Sequence, residues 1–335
     1  MRVAIVGVTG MVGQMMSKLL EVRQFPVTEF IPVASARSVG QQVAFGDKLH
    51  TVVSAEDAIK TKPDVAFLSA GSGASKTIAP KFAQGGTVVI DNSSAFRMDE
   101  NIPLVVPEVN LHVLKESNKI IANPNCSTIQ LVVALAPLHK AYRVDRLVIA
   151  TYQSMTGTGR KALRQYEAER QGEKVRHPAY PHQIFENCLP HCDAFFDNGY
   201  TREELKLVNE TRKIMEDHRL RITATAVRIP VLGGHSESVN VSFYKDFTME
   251  AVNVILSKAA GLIVQDNPNE NTYPMPKTAH HKDEVFVGRL RRDLSAPRTL
   301  NMWIVADNLR KGAATNAVQI AEYMLEKGWL GQRRG

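Results

Sequence analysis

The chain has 335 residues and a formal net charge of +7. Its 44% hydrophobic and 22% charged residues exclude a disordered polypeptide, and no window offers the ~18 uncharged apolar residues that a membrane span needs. Three cysteines, an odd number, speak against a disulfide framework and suit a reducing compartment.

This length predicts two domains. The opening "MRVAIVGVTG" reads as a strand and lacks a signal-peptide cleavage site, so a cytoplasmic protein is expected. Basic residues are dispersed through mixed-charge segments such as "RQYEAERQGEKVR" (164–176), which argues against nucleic acid as a partner. Small phosphorylated molecules suit the net charge better.

"RVAIVGV" (2–8) is a continuous apolar run, the pattern of a buried parallel strand, and "MVGQMMSKLLEVR" (11–23) has helical spacing. Gly7, Gly10 and Gly13 lie across the turn between them as G-x-x-G-x-x-G, one residue longer than the usual dinucleotide fingerprint. The physics is the same: a tight turn, close backbone approach, and free helix N–H groups facing a pyrophosphate. The strand "EFIPVAS" (29–35) ends without the carboxylate that would bind a ribose 2′-hydroxyl. Ser35, Arg37 and Ser38 stand there instead, and a guanidinium with hydroxyls suits a 2′-phosphate, favouring NADP over NAD. A solvated loop arginine is the alternative for Arg37.

Strands at 64–71 and 87–94 alternate with helical segments, the doubly wound pattern. "DNSSAFR" puts Arg97 just past a strand end, where such sheets bind ligands, although local evidence equally allows a surface arginine. "KIIANP" (119–124) reads as a further strand and "STIQLVVALAPLHKAYR" (127–143) as a helix, so Cys126 falls at the helix N-cap or first turn. The helix dipole and free N–H groups there favour a thiolate and can hold an oxyanion. Standing alone, a cysteine is more often a small buried hydrophobe; its place after a strand of a nicotinamide domain favours the nucleophile. Sulfur attack followed by hydride transfer interconverts thioester and thiohemiacetal. Among the ten histidines, His235 in "AVRIPVLGGHSESVNVSF" (226–243) is the proposed acid/base, with Arg228 a carboxylate clamp. Taken alone, this segment also reads as a turn histidine near a hairpin. Cys188 and Cys192 sit in "HQIFENCLPHC" (182–192), whose spacing lacks a second matching pair, so a structural loop and no metal site are expected.

"GVTGMVG" (7–13), "DNSSAFR" (91–97), "NPNCST" (123–128), "NETRKIM" (209–215) and "RIPVLGGHSESV" (228–239) together resemble the aspartate-semialdehyde dehydrogenase family over nearly the whole chain. That resemblance implies an α/β fold like that of glyceraldehyde-phosphate dehydrogenase. A Rossmann-type doubly wound NADP-binding domain (1–126 and 308–330) would join an α+β catalytic and dimerisation domain with a mixed sheet (127–307). It implies NADPH-dependent reductive dephosphorylation of L-aspartyl 4-phosphate to L-aspartate 4-semialdehyde, a step toward lysine, threonine and methionine. Cys126 would be nucleophile, His235 acid/base, and Gln153 would orient the acyl group. Arg228 would hold the α-carboxylate, Glu210 the amino group, and Arg97 with Lys213 the phosphate, assisted by Asn92 or Asn125. Cofactor contacts would come from Gly7, Thr9, Gly10, Met11, Val12, Gly13, Ser35, Arg37, Ser38, Gly157 and Asn308, and the protein would be a homodimer. The alternatives are an N-acetyl-glutamyl-phosphate reductase, whose cysteine motif Asn125 and Ser127 do not match, and a non-catalytic homologue acting as a binding protein.

Overall fold

A computed structural model describes residues 1–331. The chain divides into two compact units, Met1–Asn125 with Ala313 onward, and Cys126–Gly312.

In the first unit, β1 (Arg2–Val6), β2 (Glu29–Val33), β5 (Val65–Leu68), β6 (Val88–Asp91) and β7 (Ile120–Ala122) form a parallel sheet in the order β2-β1-β5-β6-β7. A hairpin of β3 (Gln42–Phe45) and β4 (Lys48–Thr51), not foreseen from the sequence, covers one edge. Phe45 stacks on Phe30 of β2 with ring centroids 4.2 Å apart. Alternate residues of each strand enter opposite cores: Val3, Ile5, Val65 and Phe67 one, Ala4, Val6, Ala66 and Leu68 the other. Both faces are therefore dry, which is why these strands read as unbroken apolar runs. Of the helices α1 (Met11–Val22), α2 (Ala55–Lys60), α3 (Ser72–Gln84) and α4 (Pro107–Asn110), the first packs on one face through Met16, Leu19 and Leu20. The next two pack on the other face through Ala58, Ala79 and Phe82.

The second unit opens with α5 (Cys126–Tyr142), followed by β8 (Val144–Gln153), α6 (Arg160–Arg170), α7 (Arg202–Ile214), β9 (Arg221–Arg228) and β10 (His235–Phe243). It continues through α8 (Met249–Ser257), β11 (Leu262–Val264), α9 (Pro276–Ala279), β12 (Val285–Arg292) and β13 (Thr299–Ala306). Its six strands form a mixed sheet in the order β11-β12-β13-β10-β8-β9. Helix α5 packs on β10, β13, β12 and β8, while α7 packs on β9. β9 and β10 do not form the hairpin that their sequence adjacency suggested, because β8 lies between them, parallel to one and antiparallel to the other. His235 is accordingly the first residue of a central strand rather than a turn residue.

The chain then returns to the first unit as α10 (Thr315–Glu326), whose Ala317, Val318, Ile320, Ala321 and Met324 complete the core beside α1. Among the described residues no helix is long and apolar enough to cross a membrane.

Candidate active site

In the first unit the strand order reverses between β1 and β5, the topological switch point where such sheets bind ligands. Gly7 has φ +88°, and a Cβ there would lie 2.3 Å from the Ser69 carbonyl oxygen. A Cβ on Gly13 would lie 2.2 Å from the Gly7 oxygen, so neither position admits a side chain without moving backbone. No side chain caps α1, whose N-cap is Gly10. Its first-turn N–H groups, with Thr9, Met11 and Val12 half-buried around them, therefore remain for an anionic group. Ser35 and Arg37 are exposed in the turn after β2, and Ser38 N donates to the Ser35 carbonyl oxygen at 2.8 Å. This cradle fits a dinucleotide, whose pyrophosphate Gly7, Gly10 and Gly13 would hold.

At the end of β6, Asp91 accepts from Ser75 Oγ (2.8 Å), Ser93 N (3.0 Å) and Ser93 Oγ (2.7 Å), fixing the "DNSSAFR" turn. Arg97 is buried there, and its Nη2 donates to the Asn92 carbonyl oxygen at 2.8 Å. Asn123 Nδ2 donates to Asn92 Oδ1 at 2.7 Å, and Asn125 is buried close by in sequence.

The second unit gathers the chemistry. Cys126 is the first residue of α5, as its strand-to-helix position predicted. Gly312 presses against it, since a Cβ on that glycine would lie 2.9 Å from Cys126 Cβ. Gln153, at the end of β8 and fully buried, donates through Nε2 to Ser127 Oγ (3.0 Å) and Glu203 Oε1 (3.3 Å). Ser236 pairs with Tyr152 and Glu237 with Thr151, and continuing that register brings His235 level with Gln153.

His235 is fully buried. Ser154 N donates to its Nδ1 at 3.0 Å, so the proton of the neutral ring sits on Nε2, which has no hydrogen-bond partner. Burial, assisted by the Arg228 cation and opposed by Glu203, pushes the imidazole pKa down to about 3. The ring is therefore neutral across the physiological range. Arg228 donates Nη1 to the Ser154 carbonyl oxygen at 2.6 Å. Gly157 forms the floor between the two: a Cβ on it would lie 3.2 Å from Arg228 Nη1 and 3.4 Å from His235 Nε2. Asn308 ties the surrounding loops, accepting through Oδ1 from Thr156 Oγ1 (2.9 Å) and Gly234 N (3.3 Å).

A second Glu–Lys pair at the same spacing as Glu210 and Lys213 lies nearer the start of α7. The carboxylate that meets Gln153 is Glu203, in the first turn of α7, and its Oε2 accepts from Lys206 Nζ at 2.9 Å. Burial opposes the Lys206 charge, but Glu203 and Asp193 outweigh it and hold the ammonium above its usual pKa. Glu210 and Lys213 lie seven residues further on, about 10 Å along the axis at ~1.5 Å per residue. The signal available in the sequence was the N-cap Thr201 with its capping-box partner Glu204, which marks Glu203 as a first-turn residue.

Cys192 is buried beside Arg228, and burial raises its thiol to about 11 against the pull of that cation. Its loop is tied to β9, with Leu189 N donating to the Arg228 carbonyl oxygen at 2.9 Å. Cys188 is exposed. A different set, His280, His281 and Asp307, brings three potential metal-ligand atoms within 4.8 Å of one another. Both Asp307 oxygens are engaged there, by the His280 ring and by the backbone N–H groups of His281, Leu309 and Arg310.

Comparison with known proteins adds two matching family models: the semialdehyde dehydrogenase NAD binding domain at residues 2–117 and the dimerisation domain at residues 135–311. The aspartate-semialdehyde dehydrogenase of Aquifex aeolicus is 52% identical over 98% of this chain and 99% of its own length. That of Bacillus subtilis is 46% identical over 96% of each chain. The crystal structure of aspartate semialdehyde dehydrogenase II complexed with ASA from Vibrio cholerae superposes with a TM-score of 0.92. It is 42% identical over 97% of this chain and 98% of that one. The aspartate semialdehyde dehydrogenase with NADP from Candida albicans has a TM-score of 0.74 at 25% identity, covering 98% and 99% of the two chains.

Proposed function

The chain belongs to the aspartate-semialdehyde dehydrogenase family, and from that premise we propose how its residues divide the work of reducing L-aspartyl 4-phosphate to L-aspartate 4-semialdehyde. Gln153 carries the reading, because one amide joins the residue after the nucleophile to a buried carboxylate at the level of the acid/base histidine.

The Cys126 sulfur attacks the acyl carbon; a C–S bond forms, the C–O bond to phosphate breaks, and a thioester results. Gly7, Gly10 and Gly13 would hold the nicotinamide dinucleotide, which would supply the hydride to the thioester carbon. The C–S bond then breaks, releasing aldehyde and returning the electron pair to sulfur. His235, the proposed acid/base, is buried and neutral and donates its Nε2–H to the carbonyl oxygen as charge develops there, while the Cys126 sulfur attacks as the thiolate that the start of α5 favours. The orientation of the imidazole is held by Ser154 N on the far side of the ring. Gln153 orients the acyl group. Arg228 is the clamp for the α-carboxylate, Glu203 is the partner for the ammonium, and Lys206 takes the departing phosphate, a role for which Arg97 of the first unit is also a candidate.

NADP is the proposed cofactor, since Arg37 with Ser35 and Ser38 suits a 2′-phosphate and no carboxylate ends β2. A homodimer is the proposed assembly. Tyr152, Ser238, Asn240 and Trp303 line the sheet face opposite the one that buries Gln153, Glu237 and Val239, and this partly open face suits a second copy. Glu203, a charge partner for a free α-amino group, disfavours an N-acetylated substrate.

The test runs the reaction backward. Protein, aspartate semialdehyde, NADP and phosphate should give phosphate-dependent absorbance at 340 nm. A flat trace at every phosphate concentration overturns the reading.

A further inference from the structure

Beneath the site lies a second set of polar side chains that the reaction does not use. Glu237 follows His235 by two residues on β10 and so points to the same side of the sheet. Thr151, its register partner, precedes Gln153 by two residues on β8. Gln130 follows Cys126 by four residues on α5, one turn down the same helix face. Two tiers result. The upper one holds Cys126, Gln153 and His235, and the lower one repeats its supports with Gln130, Thr151 and Glu237.

The lower tier is costly. All three residues are at most 1% exposed, and both Gln130 amide atoms, the Thr151 hydroxyl and both Glu237 oxygens lack a hydrogen bond of regular geometry. Each such atom costs roughly 1–3 kcal/mol when buried unmade, and apolar residues of the same volume would give a more stable core. Stability therefore does not explain three polar groups that face one another between the nucleophile's helix and the acid/base strand.

We propose that Gln130, Thr151 and Glu237 form a positioning tier that holds the Cys126 end of α5 at a fixed distance from His235 on β10. The proposal rests on the roles assigned above to Cys126 and His235. Burial keeps the Glu237 carboxyl far above the usual carboxylate range, with only the Gln130 amide pulling the other way. The group is thus an uncharged acid with one O–H donor and acceptor capacity to spare, and the Gln130 amide and Thr151 hydroxyl offer the complement of both. No member touches the reacting atoms. Its effect passes through helix placement, and a misplacement of about 1 Å at a reacting centre costs on the order of a hundredfold in rate.

The test uses the full chain carrying Glu237→Leu, Glu237→Gln or Thr151→Val, with two readouts. One is steady-state reversal of the reaction. The other is iodoacetamide labelling of Cys126 as a function of pH without substrate, followed by peptide mass so that exposed Cys188 is not counted. Glu237→Leu should lower kcat by roughly ten- to a hundredfold, leave KM for the semialdehyde within about threefold, and move the pH midpoint of labelling. Glu237→Gln should restore most of kcat, since an amide also donates and accepts. An unchanged kcat and labelling profile in Glu237→Leu overturns the proposal. So does a Glu237→Gln enzyme as impaired as Glu237→Leu, because an uncharged donor would then not be what the site needs. If Glu237→Leu does not fold, Thr151→Val decides: a few-fold loss of kcat with a displaced labelling midpoint supports the tier, and neither change overturns it. If the wild type does not turn over the semialdehyde, the proposed function fails, and the labelling comparison still judges the tier by itself.

Discussion

Gln153 Nε2 lies 3.3 Å from Glu203 Oε1, joining the end of a sheet strand to the first turn of α7 through two buried side chains. The same nitrogen reaches Ser127 Oγ at 3.0 Å. One amide thus fixes the helix that carries Cys126 and the carboxylate assigned to the substrate ammonium.

Glu203→Gln should therefore raise KM for aspartate semialdehyde and cut kcat/KM by roughly ten- to a hundredfold, the loss of a charged partner in a buried site. Glu210→Gln should leave kcat/KM within about threefold, since that residue stands two turns further along α7. Steady-state kinetics of the two variants side by side decide the matter. A larger effect at Glu210 would return the ammonium contact to it.

Why the sequence alone does not choose between two pairs seven residues apart on α7 is itself physical. Glu203 with Lys206 and Glu210 with Lys213 have the same i,i+3 spacing. Seven residues are almost two full helical turns, so both pairs face the same side and periodicity cannot separate them. Only tertiary contact does. Backbone settings were legible by contrast: Gly7 and Gly13 have no room for a Cβ, and Cys126 starts its helix where strand gives way to it. The β8 strand between β9 and β10 was illegible because neighbouring sequence resembles a hairpin whatever strand intervenes in space.

Cofactor choice has a local test. Arg37 is exposed after β2 with nothing acidic ending the strand. Arg37→Leu should weaken NADPH binding about tenfold or more and leave NADH binding almost unchanged, because only the former carries the 2′-phosphate. Fluorescence titration with both nucleotides measures it. Equal losses would place Arg37 elsewhere on the cofactor, and no loss would leave it a solvated loop residue.

The two buried titratable groups on β10 should tilt the pH dependence of stability in opposite directions. His235 has its pKa depressed on folding, from an ordinary 6.5 to about 3. Between those values the unfolded chain binds the extra proton, so this contribution is complete above pH 6.5 and is lost as pH falls toward 3. Glu237 has its pKa raised above 4.5, so between 4.5 and its folded value the native state holds the extra proton. Its contribution is complete below 4.5 and is lost as pH rises. Each effect has a ceiling of about 1.4 kcal/mol per pH unit, one proton's worth. Urea unfolding of wild type, His235→Asn and Glu237→Gln at pH 5, 6.5 and 8 separates them, because differences between chains cancel the carboxylates they share. The stability of wild type relative to His235→Asn should shrink from pH 6.5 to 5 and change little above. Relative to Glu237→Gln it should fall steadily from pH 5 to 8, leaving the glutamine chain the more stable of the two at the alkaline end. A Glu237→Gln difference that does not vary with pH would mean that the buried carboxyl carries the same charge folded and unfolded, which its burial between α5 and β8 forbids unless a cation reaches it.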